Sequence, residues 1–422
     1  MTVVGIDDTD SRTRGMCTTY LASEIAGVLA ETGADVDPPL LIRLNPAVEH
    51  KTRGNAALAV HADCDPEEAF DAARELIDDL AEVRDSNTQP GLVVAPSDPE
   101  EVPGKVAEFS RRAVREELSL DEALEVVEGA GYSQEGWAGG RGRIGALAAV
   151  GARRAFSEWT HELIAYRERG RWGTERRVDP DSVFRAAEAE YPAVWDTVDR
   201  ETGDTVCVPH TPGPVLYGIR GDDPDAVRRA VERIESEPVA SSALFLTNQG
   251  TDVHLQDGEI GSVEDGRAYR LDGVVSSAPE TRRGGHVFLE IDDGDDRLRC
   301  AAFEPTKRFR DRVRALREGD RITACGEVSG GTLKLEKFAL RELNRIEYRN
   351  PRCPDCRRSM ESAGREQGYR CRDCSTSAET KETIEIDRDL EPGWYEVPPT
   401  ARRHIAKPLV RGGFDGPVHP ER

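Results

Sequence analysis

The sequence predicts a multidomain α+β protein, and three observations predict it. Strand and helix patterns alternate through residues 1–160, and a second block then runs strand–helix–strand–strand–helix–strand. After it come five strands of alternating polarity, with one helix between the third and fourth, and two C-x-x-C pairs. A chain of 422 residues has room for roughly three domains of about 150 residues.

The first strand is the apolar run Val3 to Ile6. Asp7, Asp8 and Asp10 follow it, and Leu21, Ile25, Val28 and Leu29 then recur at helical spacing. Leu40 to Leu44 and Ala57 to Val60 read as further strands, separated by the turn Lys51 to Asn55, and Pro66 to Leu80 reads as a helix. Such alternation points to an α/β or α+β unit. Gly129 to Gly151 is glycine-rich and carries Arg141 and Arg143, with no acid after Glu135.

The second block, expected over 161–262, orders a strand (Leu163 to Tyr166), a helix (Asp181 to Tyr191), strands at Thr205 to Val208 and Val215 to Ile219, a helix (Asp225 to Ile234) and a strand (Ala243 to Leu246). That order makes a ferredoxin-like sandwich. In the third block, expected over 266–345, Arg267 to Val275, Val287 to Ile291 and Leu298 to Phe303 precede a helix at Thr306 to Leu316. Arg321 to Val328 and Leu333 to Leu340 follow it. This is the order of an OB-fold, a small barrel that commonly binds single-stranded nucleic acid.

Cys353, Cys356, Cys371 and Cys374 form two knuckles with fourteen residues between them. Two such knuckles supply four thiolates for a closed, structural Zn²⁺ site, expected over 346–385. Cys17, Cys64, Cys207, Cys300 and Cys325 stand singly and read as free thiols. Bases outnumber acids from Arg349 to Lys381, against a whole-chain net charge of −23. Local reversal of sign beside an OB-fold is the footprint of a nucleic-acid surface. The segment 386–422 reads as a basic tail in which Arg402, Arg403 and Lys407 are candidates for RNA backbone contact.

Eighty acids face 57 bases, of which only seven are lysine, and 37% of residues are hydrophobic. This composition suits a salt-rich cytoplasm, where charges are screened within about 3 Å at 1 M, so it does not exclude RNA. No apolar run approaches the ~20 residues of a membrane span, and the first residues, MTVVGIDDTD, lack a basic n-region. A cytoplasmic protein with no membrane contact and no obligate protein partner is expected.

Carboxylates at the end of a strand and ahead of a helix suit Mg²⁺ bound together with substrate phosphates, which makes Asp7, Asp8 and Asp10 candidates. Gly15 to Thr19 leads into a helix whose free N–H groups favour an anion; Thr18 there is a reactive candidate or merely the cap. Lys51, Arg53, Gly54 and Asn55 form a phosphate-clamp turn. Gly140 to Gly145 matches G-x-G-x-x-G, but no strand is expected before it, so a glycine nest with Arg141, Gly142 and Arg143 holding phosphate is the better reading. Asn248, Gln249, Asp252 and His254 lie in a polar run after a strand, either a turn or a ligand contact.

Taken together, VGIDDTDS (4–11), RGMCTTYLA (14–22), RLNP (43–46), KTRGNAA (51–57), GRGRIGALAA (140–149), ELIAYR (162–167), LTNQGTDVH (246–254) and ARRHIAKPL (401–409) resemble the archaeal tRNA 2-agmatinylcytidine synthetases. The resemblance implies a kinase-like N-terminal domain followed by ferredoxin-like, OB and zinc-ribbon domains. It implies use of ATP to attach agmatine to carbon 2 of the first anticodon cytidine of an isoleucine tRNA (CAU anticodon), giving agmatidine so that AUA is decoded. It also places Thr18 in a reactive threonine motif and makes Asp252 a candidate partner for the agmatine guanidinium. Two rivals remain on the residues alone: a non-enzymatic OB-fold and zinc-ribbon RNA-binding protein, and a small-molecule kinase that needs no tRNA.

Overall fold

The computed structural model describes residues 1–51, 54–365 and 367–422. Its first part contains β1 (Thr2–Asp7), α1 (Thr18–Glu31), β2 (Leu40–Arg43), β3 (Ala56–Ala62), α2 (Pro66–Leu80) and β4 (Gly91–Ala95). It continues with α3 (Gly104–Arg115), α4 (Leu120–Ala130), β5 (Ser133–Gly136) and α5 (Arg143–Ala155). Next come β6 (Thr160–Arg167), α6 (Pro180–Glu190), β7 (Val194–Trp195), β8 (Val215–Gly221), α7 (Pro224–Glu232) and β9 (Val239–Thr247).

These strands form one sheet in the order β5-β4-β1-β3-β2-β9-β6-β8-β7. The last four have ferredoxin-like order, and they join the first five through a parallel pair, Leu40 with Leu246 and Leu41 with Thr247. Alternate strand residues face opposite ways. Val3, Ile42, Ala59 and Val93 therefore pack beneath α3 and α5, while Val4, Ile6, Leu41, Leu58 and Val60 pack beneath α1 and α2. Both faces are covered, which is why β1 is apolar almost throughout.

Three expectations are corrected here. The second ferredoxin-like strand is Val194–Trp195 and not Thr205 to Val208. The latter is a loop tied across the sheet, Cys207 N–H donating to Thr197 and its carbonyl accepting from Gly218; a two-residue strand is too short to show a period. A strand, β5, does precede the glycine run, but it pairs antiparallel with β4, unlike the parallel βαβ of dinucleotide folds. Thirdly, 386–422 is no loose tail, as the barrel shows.

In the OB domain, β10 (Leu255–Asp257) leads to β11 (Ala268–Val275), β12 (Glu280–Thr281), β13 (Val287–Asp292), β14 (Arg297–Ala302), α8 (Phe309–Arg314), β15 (Arg321–Ser329) and β16 (Thr332–Glu342). The pairs β11–β13, β13–β14, β14–β16, β16–β15 and β15–β11 close a five-stranded barrel. Phe309 and Val313 of α8 plug its core. The cysteine region has the pair β17 (Ile346–Arg349) and β21 (Glu382–Glu385) around β18 (Glu361–Ser362), β19 (Tyr369–Arg370) and β20 (Ser377–Ala378). Beyond it, β22 (Gly393–Glu396) extends the barrel along β16, and β23 (Val418–His419) pairs with β22. Trp394, Ile405 and Leu409 bury against Leu255, Ala268, Cys325 and Ala339. All nine cysteines are free of disulfides. Among the described residues no helix is long and apolar enough to cross a membrane.

Candidate active site

Asp7 is the last residue of β1, and the chain after it lines a cleft that is partly open to solvent. Asp7, Asp8 and Asp10 line it together with Thr18, Lys51, Gly54, Asn55, Arg141 and Gly142. Asp8 sits at φ 58, a left-handed conformation that Asp tolerates better than most residues. Its N–H donates to Asp7 Oδ1 (2.7 Å), and its Oδ2 accepts from Gln89 N–H (3.1 Å) and faces Arg141 Nη2 at 3.5 Å.

Burial, reinforced by Asp8 and Asp10, holds the Asp7 carboxyl well above its usual range. Burial likewise pushes Asp8 up to about 7, against the pull of the Gln89 N–H and Arg141. Crowded carboxylates held above their usual range are a chemical opening for a cation.

Two helices begin at this cleft. α1 starts at Thr18, with Cys17 as its cap residue and no side-chain cap bond; of the two readings of Thr18, the cap is the one the structure does not show. Thr18 is 6% exposed, and its Oγ1 accepts from Thr9 Oγ1 (3.1 Å). α5 starts at Arg143, so close to β1 that a Cβ on Gly145 would collide with Asp7 Oδ2. Helix N-termini carry unpaired N–H groups and a positive dipole end, and so attract anions.

Of the other expected residues, Arg53 lies outside the described residues. Arg143 turns away from the cleft and braces the glycine loop, donating to Gln134 Oε1 (2.8 Å) and to the Gly140 and Gly139 carbonyls. The run 247–254 is neither an open turn nor an exposed ligand contact. Asn248 Oδ1 and Nδ2 bond the Arg43 N–H (2.8 Å) and carbonyl (3.1 Å), and His254 Nε2 also donates to that carbonyl (3.1 Å). Asp252, expected beside agmatine, is instead paired with the buried Lys337 and accepts from Lys407 N–H.

The three tail cations expected on RNA are each paired with acids of this chain, and only the Arg402 side chain is buried. Arg402 is 4% exposed and pairs with Asp196 and Glu396; Arg403 pairs with Glu327 and Glu336; Lys407 lies 3.3 Å from Glu158. Arg43, which also lines the cleft, and its partner Glu162 have no role in the sequence reading. The signal for Arg43 is the RLNP run, an arginine at a strand end within a motif otherwise free of charge, and Glu162 opens the ELIAYR run.

The sulfur atoms of Cys353, Cys356, Cys371 and Cys374 all lie within 4.8 Å of one another. A tetrahedral site with Zn–S near 2.3 Å needs S···S separations of about 3.8 Å, so these residues fit Zn²⁺. Around them Arg352, Arg357, Arg358, Arg370 and Arg372 are exposed.

Residues 3–137 match the TiaS TCKD domain, 140–254 the TiaS FLD domain, 269–336 an OB-fold nucleic acid binding domain and 350–390 the TiaS C-terminal zinc ribbon domain. The second match begins before α5, although that helix packs on β1. TiaS of Haloquadratum walsbyi, a tRNA 2-agmatinylcytidine synthetase, is 54% identical over 462 residues, covering 100% of both chains. The crystal structure of TiaS in complex with its isoleucine tRNA and ATP has a TM-score of 0.89 to this fold at 44% identity, over 100% of this chain and 99% of that one. For the crystal structure of TiaS with the same tRNA, AMPCPP and agmatine the values are 0.87 and 42%, over 100% and 99%.

Proposed function

This chain belongs to the TiaS family of tRNA 2-agmatinylcytidine synthetases, and from that premise we infer that it uses ATP to join agmatine to carbon 2 of a cytidine in an isoleucine tRNA. The cytidine is the first base of the CAU anticodon, and its conversion to agmatidine lets the tRNA decode AUA. The reaction belongs in the cytoplasm, where that tRNA is used.

One observation carries the assignment of the site: three carboxylates and two helix N-termini converge on a single cleft. A cytosine carbonyl is a poor electrophile and oxide a poor leaving group, so the oxygen must first be activated. The O2 lone pair attacks a phosphorus of ATP, and the P–O bond to the rest of the nucleotide breaks. The agmatine amine then adds at carbon 2 and loses a proton, and phosphate departs with the former O2.

Phosphoryl transfer depends mainly on positioning and charge neutralisation. Lys51, Gly54, Asn55, Arg141 and Gly142 surround the phosphates in this reading, with the α5 N-terminus behind them. The oxygen-only donor set Asp7, Asp8 and Asp10 fits Mg²⁺, which when bound supplies charge neutralisation for the triphosphate. Thr18, buried at the start of α1, is poised to hold or receive a phosphoryl group. The cytidine must leave its stack to enter, and the exposed arginines of the ribbon support RNA docking outside the cleft.

Incubation with a transcript of the CAU-anticodon isoleucine tRNA, ATP, Mg²⁺ and agmatine, followed by mass spectrometry of the nucleosides, tests the reading. The expected product is cytidine plus agmatine minus water. ATP turnover without tRNA would favour the kinase rival, and tRNA binding without any adduct would favour the non-enzymatic one.

A further inference from the structure

Arg43 closes β2 at the seam where the two halves of the sheet meet, and the structure immobilises it. Its backbone is bonded on both sides, by Asn248 and His254. Its Nε donates to Gln249 Oε1 (2.9 Å) and its Nη2 to Glu162 Oε2 (3.2 Å). Glu162 is 4% exposed, and its other oxygen accepts from Arg220 Nε (3.2 Å).

What is left over is Nη1. Among the described residues it has no hydrogen-bond partner, and a Cβ on Gly54 would lie 3.3 Å from it. Arg43 therefore presents one open N–H edge to a cleft shared with Thr18, Lys51 and Gly54. A guanidinium anchored through two of its nitrogens, with the third open to the cleft, is shaped to take an oxyanion.

We propose that Arg43 binds a phosphoryl oxygen of ATP during the transfer step, and that Glu162 and Gln249, from the ferredoxin-like half, are the residues that position it. This rests on reading the cleft as the ATP site. In that step the bond from phosphorus to the nucleotide oxygen breaks, its electron pair leaving with that oxygen, as the bond from the acceptor oxygen forms. Arg43 neither gives nor takes a proton. It meets the charge on the non-bridging oxygens, and because its geometry is already fixed, little reorganisation opposes it. Burial draws the Arg43 guanidinium below its ordinary range, with Glu162 pulling back, so a bound anion offsets a cost the fold already carries.

The test is steady-state kinetics of agmatidine formation with agmatine saturating. Arg43→Ala should lose about 10²–10³-fold in kcat, the cost of removing one preorganised donor, with KM for tRNA unchanged and partial recovery on adding millimolar guanidinium. Arg43→Lys keeps the charge at the seam but lacks the forked edge, and should also lose at least tenfold. Glu162→Gln should lower kcat while leaving KM for tRNA alone, and Glu162→Asp should restore part of it. Wild-type turnover in folded Arg43→Lys, or a loss in Arg43→Ala that tracks melting temperature and resists guanidinium, would overturn the proposal. Absence of adduct from the wild-type enzyme would instead overturn the functional reading beneath it.

Discussion

Thr18 is the first helical residue of α1, one position past the cap, and its hydroxyl takes a hydrogen bond from Thr9. Thr18→Val removes that bond, which is worth about 0.5–1.5 kcal/mol, and leaves the helix in place. Agmatine transfer should vanish while melting temperature falls only slightly; full transfer by the folded variant would reduce Thr18 to a structural residue. His254 carries a pH dependence. Burial holds its imidazole at about 4 against an ordinary 6.5, so it is neutral when folded. The unfolded chain binds the extra proton between those values, and stability therefore falls as pH drops from about 6.5 to about 4, by about 3 kcal/mol. Denaturant melts at fixed salt should show this loss in the wild type and a smaller one in His254→Gln. Neither residue's surroundings are legible in the sequence: Thr18 sits in an obvious helix start, but the carbonyl that orients His254 belongs to Arg43, far away along the chain.

Helix α5 owes its position to glycines that let it touch β1, and Gly145 is where that contact reaches the chemistry. Gly145→Ala drives its Cβ into the Asp7 carboxylate yet favours the helix by up to about 1 kcal/mol. Activity should drop at least tenfold, and overpacking at this contact, about 1–3 kcal/mol, should outweigh the helix gain in the melting temperature; unimpaired turnover would mean that the Asp7 position is unimportant. The ribbon obeys a different logic, since its small core of Cys353, Met360 and Cys371 cannot hold it together alone. Cys371→Ser should release about one Zn²⁺ per chain, measured by metal analysis, and unfold the ribbon without moving the melting of the sheet. Elements with internal periodicity are legible: β1, α2, the barrel strands and the cysteine knuckles all stand where their patterns put them. Val194–Trp195 is not, because two residues cannot display alternation; β4, α3 and α4 have no place in the sequence reading, although the apolar run Leu92 to Ala95 and the Ser119 and Gly131 caps mark β4 and α4.

The whole molecule is held by charge pairs that close across its parts, which is why the tail looks basic and unpartnered in one dimension. The carboxylates that neutralise Arg402 are Asp196 in the ferredoxin-like half and Glu396 beside the barrel. Arg402→Ala leaves both buried without a counter-charge, and removing one partner of a buried pair typically costs about 3–5 kcal/mol. Chemical denaturation should show a loss of that size; a change below about 1 kcal/mol would mean that the pair is screened as at a surface. A last consequence concerns time. The neighbour of β2 is β9, Leu40 lying against Leu246, so a chain leaving the ribosome carries an unpaired sheet edge until β9 emerges. At ~5–20 residues per second that interval is about 10–40 s. Throughout it the strand is open to pairing with other chains. Asn248, Gln249 and His254 arrive only at its end, so the cleft cannot be completed before the second half of the sheet has been made.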